Sequence, residues 1–123
     1  MTQYAPMAQL LIDIYTKLRT GAIPVYNTLP ASDVMEPFIV LGPHIDDDQL
    51  TARNGLETLT TDLQVDLFYS TDDRLALETD IYTVKSLIKQ ATDRIARVTS
   101  QMLTDNSIGR DVYHVIFTIT AYI

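Results

Sequence analysis

The residues whose types could do chemistry lie in His44-Ile45-Asp46-Asp47-Asp48, directly after the apolar run Phe38–Leu41. Carboxylates suit hard cations such as Mg²⁺ or Ca²⁺, and a histidine adds a borderline ligand. On that reading the segment 44–48 would serve a small metal-dependent enzyme. The spacing opposes it, because consecutive aspartates cannot all aim at one ion on an ordinary backbone, and the calcium-loop pattern D-x-[DN]-x-[DN]-G is absent. The bland alternative is a solvated acidic loop. The other histidine, His114, falls in a predicted strand far along the chain, facing a sheet neighbour or solvent. Asp62 and Asp66 share one strand face and could pair as acid and base, yet a solvated strand face accounts for them equally well. With no cysteine, no G-x-S-x-G elbow and only 4 glycines, neither nucleophilic catalysis nor a phosphate-cradling loop is supported. No catalytic residue, metal ligand or cofactor is expected.

The chain that must position these residues is 123 residues long, with a hydrophobic fraction of 46% and a charged fraction of 20%. That is enough for one core without disulfides or structural metal. The net charge of −7 argues against a dedicated grip on nucleic acid, whereas an acidic wall that DNA slides past is compatible with it. No apolar stretch approaches the ~20 residues of a membrane span, and the N-terminal stretch lacks a basic lead into its apolar part. A soluble protein made inside the cell is expected.

Periodicity supplies the elements. Met7, Leu11, Ile14 and Leu18 mark one face of an amphipathic helix over 7–19, begun at Pro6 and ended at Gly21. Prolines at 24, 30 and 37 make the next segment an extended connector, with a short strand around Val25 and Tyr26. Phe38–Leu41 reads as a buried strand bounded by Gly42-Pro43. Residues 44–55 read as a long polar loop ending at Asn54-Gly55. From Leu59 to Tyr69 the chain alternates, with Leu63, Val65, Leu67 and Tyr69 to one side and Asp62, Gln64, Asp66 and Phe68 to the other. A second helix follows, capped by Ser70 or Thr71 and buried along Leu77, Ile81, Val84, Ile88 and Ala91. Strands over 94–102 and 113–122 close the chain as an antiparallel pair. The fold class is α+β, a single domain over 1–123. It has a mainly antiparallel four-stranded sheet, two helices packed on one face, and a long loop between the first two strands.

A sheet with helices on one face leaves the other to be covered. Phe68, Tyr69, Ile116 and Tyr122 are the candidate subunit-interface residues, and self-association would supply the cover.

Three segments carry a resemblance: VYNTLPASDVMEPFIVLG (25–42), LTTDLQVDLFYSTDDRLALETDIYTVKSLI (59–88) and RDVYHVIFTITAYI (110–123). Together they resemble the tail-terminator, or tail-completion, proteins of long-tailed bacteriophages. The resemblance implies a structural virion protein without enzymatic activity, assembled in the bacterial host cytoplasm. It implies a hexameric ring at the head-proximal end of the tail that ends tube polymerisation. The implied partners are further copies of the chain, the tail-tube protein and the head connector or stopper protein. DNA would pass through the lumen without specific binding, and no membrane is involved. Another neck or connector component is the near alternative. The segment 44–55 is long for this pattern, and on this reading it is a docking element: His44, Asp46, Asp47, Asp48, Gln49, Arg53 and Asn54 are its candidate residues, since loops on a rigid scaffold commonly carry recognition.

Overall fold

The computed structural model describes residues 3–51 and 56–123, with the backbone alone at 48–51 and 56–59. The elements run α1 (Pro6–Leu18), β1 (Val25–Tyr26), β2 (Phe38–Thr51), β3 (Leu56–Tyr69), α2 (Arg74–Ala91), β4 (Ile95–Asp105) and β5 (Val112–Tyr122). They form one five-stranded sheet in the order β1-β2-β3-β5-β4. Two features correct the expected four-stranded antiparallel sheet. β1 joins as a fifth strand parallel to β2, through Val25 opposite Ile39 and Tyr26 opposite Val40. The short strand expected around Val25 and Tyr26 is present; with two residues it carries no alternation from which its membership of the sheet could be read. The expected long loop is also largely strand: β2 continues through His44–Thr51 and pairs antiparallel with Leu56–Leu63.

Gly42-Pro43 looked like a strand terminator, but the pairing survives it as a bulge between Leu41 and His44. The glycine is required there. A Cβ at Gly42 would sit 2.8 Å from the Gln64 carbonyl oxygen and 3.2 Å from Asp66 Oδ2, so backbone meets backbone too closely for any side chain.

The helix-side face holds the main core. Alternation sends Leu63, Val65 and Leu67 of β3 and Val115, Phe117 and Ile119 of β5 against Leu10, Ile14 and Leu18 of α1 and Leu77, Val84 and Ile88 of α2. Each such side chain contributes about 1.5–3 kcal/mol by leaving water. The buried stripe of α1 centres on Leu10 rather than Leu11, which packs at its margin. α2 is capped not by Ser70 or Thr71 but by Asp73, whose carboxylate accepts the Ala76 N–H at 3.0 Å. Ser70 instead accepts from the Asp72 N–H.

The opposite face is covered at one end by the chain's own connector. Phe38, Val40, Phe68 and Val112 form a second core, with Tyr26, Val34 and Ile108 packed on it. Arg110 fastens this cover. Its guanidinium donates to both Glu36 carboxylate oxygens, from Nε at 2.8 and 3.1 Å and from Nη2 at 2.9 Å, and to the Ser32 and Val34 carbonyls at 2.7 Å each. The Glu36 side chain is only 4% exposed. The Arg110 hydrogen bonds hold its carboxyl below the ordinary 4.5 despite its burial.

Two outcomes follow for stability. Arg110→Ala leaves the Glu36 carboxylate buried without its partner and is expected to lower the thermal midpoint by about 5 °C or more. Because the Glu36 value is depressed, the pair's contribution is present above pH 4.5 and is lost as pH falls through the lowered value, so wild type and variant should converge in acid. Gly42→Ala is expected to cost about 1–3 kcal/mol in denaturant unfolding.

Candidate functional site

The segment singled out for its chemistry, His44–Asp48, runs from the body of the sheet to the start of an overhanging antiparallel ribbon. β5 pairs with β3 only as far as Thr60 opposite Tyr122. Beyond that row β2 and β3 pair with each other alone, through Asp48–Leu59, Gln49–Thr58, Leu50–Glu57 and Thr51–Leu56. The ribbon therefore overhangs the sheet by four residue pairs, a reach of ~13 Å at strand rise. Of the candidate docking residues, Asp48 and Gln49 lie on this overhang with only their backbone described, and Arg53 and Asn54 lie outside the described residues.

Strand geometry separates the aspartates, because alternate side chains point to opposite faces. Asp46 sits opposite Thr61 on the helix side and Asp47 opposite Thr60 on the open side. Asp46 Oδ1 accepts the Thr61 hydroxyl at 2.7 Å and lies 2.8 Å from His44 Nδ1. These contacts, with Thr61 the larger influence, hold the Asp46 carboxyl below its ordinary 3.8. Asp46 Oδ1 is thus engaged by its neighbours in the ribbon. Among the described residues no group of three or more histidine or acidic side chains is arranged to hold a metal, and no helix is long and apolar enough to cross a membrane.

His114 lies on the open face beside a different pair of carboxylates. Its Nε2 is 2.8 Å from Asp66 Oδ1 and its Nδ1 2.9 Å from Asp105 Oδ2, while its ring stacks on Phe68 at 4.4 Å between centroids. Only the imidazolium donates from both nitrogens. The Asp66 hydrogen bond, aided by Asp105 and opposed by burial, raises the His114 value above 6.5. With both nitrogens occupied, the ring has no free position from which to take a substrate proton. Asp62 and Asp66 do not meet either. Asp62 accepts the Thr120 hydroxyl at 2.6 Å, and Asp66 accepts from Gln64 Nε2 at 2.9 Å.

The candidate interface residues do not form one patch. Phe68 is 6% exposed and belongs to the second core beneath the connector. Tyr69 points to the helix side and donates its hydroxyl to Asp80 Oδ2 at 2.7 Å, which pushes its value up to about 12. Ile116 is half-buried on the open face, opposite Asp66. Tyr122, at 53% exposure, stands at the base of the ribbon, and the unforeseen Ile45, at 76%, lies on the same face. The Glu36–Arg110 pair was also missed. It joins residues 74 positions apart, and no local pattern announces such a contact.

The fold has a counterpart in a virus-like particle. A chain in the solved virion of a native gene transfer agent particle matches with a TM-score of 0.57 at 13% identity, over 98% of this chain and 100% of that one. At that identity the likeness is one of fold. No protein-family model matches the chain, and no curated protein matches it in sequence.

Since the folded His114 value is raised, its ion pairs contribute fully below pH 6.5 and are lost as pH rises through the raised value. Wild-type thermal midpoints should therefore fall by about 3–5 °C between pH 6 and pH 9, beyond any drift in His114→Gln, whose midpoint should stay nearly flat across that window.

Proposed function

We propose that this chain is a structural subunit of a phage-like particle. It assembles into a hexameric ring at the head-proximal end of a tail tube, ends tube growth there, and presents a surface for head joining. It is not an enzyme. The observation that carries this reading is the end-to-end correspondence of its fold with a chain of the gene transfer agent virion, 98% of one over 100% of the other. The tail-terminator resemblance of segments 25–42, 59–88 and 110–123 narrows it to the end of the tail.

The geometry supports the reading in two further respects. The overhanging β2–β3 ribbon gives the subunit an arm that its own core does not use, suited to reaching a neighbouring ring or the tube. The acidic residues Asp46 and Asp47 at its base, with a net charge of −7, suit a passage through which DNA moves without sticking.

The test is tube capping. Full-length chain added to polymerising tail-tube subunits should shorten the tubes and appear as a ring at one end in negative-stain micrographs. Replacing 48–59 with Asn-Gly keeps the register at Asp47–Thr60 and closes the strands with a two-residue turn. This variant should fold with an unchanged far-ultraviolet spectrum and cap tubes poorly. Tubes of unaltered length with the wild-type chain would refute the assignment.

A further inference from the structure

The sheet ends in two unpaired edges that are complementary to each other. β4 is the terminal strand on one side, free along all of Ile95–Asp105. On the other side β1 covers β2 only at Ile39 and Val40, so the β2 edge is open from Gly42 onward. Natural proteins blunt exposed edges with charge, proline or short length. Val98–Thr104 carries neither charge nor proline, and its only irregularity lies before it, between Ile95 and Arg97. An unprotected edge of this length is a template for another strand.

Charge and direction select which strand. The side chain of Arg97, exposed near the start of β4, makes no hydrogen bond or ion pair among the described residues. The β2 edge carries Asp46 and Asp47. Two β2 edges set side by side would oppose like charges, which disfavours self-pairing. β2 is antiparallel to β3, β3 to β5, and β5 to β4, so β2 and β4 run in opposite directions. If the sheet simply continues into a neighbouring copy, that copy's β2 meets this β4 antiparallel. Ile45, Asp62, Thr120 and Arg97 also lie in one row across the sheet, so both edges are available at the same height.

We infer that copies of this chain join edge to edge, the β4 edge of one pairing antiparallel with the Gly42–Asp47 edge of the next, with Arg97 set against Asp47, which shares its face. The inference rests on the ring reading and specifies its interface. Such a contact uses two different surfaces, and a contact of that kind closes into a ring when its rotation allows. It also makes the open face continuous from copy to copy, with Ile45 of one subunit beside the β4 residues of its neighbour.

The chain has no cysteine, so engineered pairs can report the contact. Ile45→Cys is combined separately with Arg97→Cys, Thr99→Cys and Gln101→Cys, which share its face, and with Ser100→Cys, which lies on the other. All five positions are exposed. Under mild oxidation at least one same-face pair should link copies into a ladder ending at the ring, and the Ser100 pair should not, because side chains whose Cβ atoms point to opposite faces cannot be bridged by a disulfide. Arg97→Glu should reduce the assembled fraction about tenfold, and adding Asp47→Lys should restore it. A ring by light scattering in which no same-face pair links would overturn the edge contact and leave the ring standing. Thr99→Cys linking to itself would show β4–β4 pairing and overturn the inference as well. A strict monomer, alone and with tail-tube protein, would overturn the ring and the edge contact together.

Discussion

The Glu36–Arg110 ion pair decides what the open face of the sheet can be. A five-stranded sheet with both helices on one side has a second side that must be either covered or wet. Here the connector 27–37 folds back over one end of that side, and its return depends on a single guanidinium reaching two backbone carbonyls and a nearly buried carboxylate. The apolar row Tyr26, Phe38 and Phe68, extended by the ring of His114, is dry because this cover is fastened. The rest of the face, where Asp62, Thr118 and Thr120 alternate with Ile45, Ile116 and Tyr122, stays open.

That division also fixes the electrostatics. His114 lies at the boundary, stacked on the dry row and bonded to carboxylates on either side, which is why it carries its charge more readily than a free imidazole. Three strands meet there through side chains: β3 by Asp66, β4 by Asp105 and β5 by His114 itself. The charge is thus a cross-strand tie rather than a reagent.

Much of this was legible in the sequence wherever a period repeated. The alternation from Leu63 to Tyr69 and the stripe from Leu77 to Ile88 identified β3 and α2 and their buried faces, because burial imposes those periods directly. The acidic segment was not legible as strand. Aspartate is a poor strand former and Gly42-Pro43 is a turn signal, but Thr61 and the β3 ladder outweigh both by pairing with it. β1 was expected at Val25 and Tyr26 from the prolines and turn formers around it, but it is too short for any repeat to announce its parallel pairing with β2. The candidate site suffered for the same reason: Phe68 was placed on an uncovered face because a connector returning over it leaves no periodic trace, and Ile45, the most exposed apolar residue near the ribbon, sat inside what read as a loop.

The overhanging ribbon has a consequence for how such a subunit can change over generations. Its outer pairs bond only to each other, so residues added to or removed from them touch neither core. The alternation of a strand still constrains the steps: equal changes of two residues in each arm preserve which side chains face which way, while a change of one inverts the arm from that point outward. The arm's reach is therefore adjustable in increments of ~7 Å while the body that carries it stays the same, letting one scaffold fit partners at different distances.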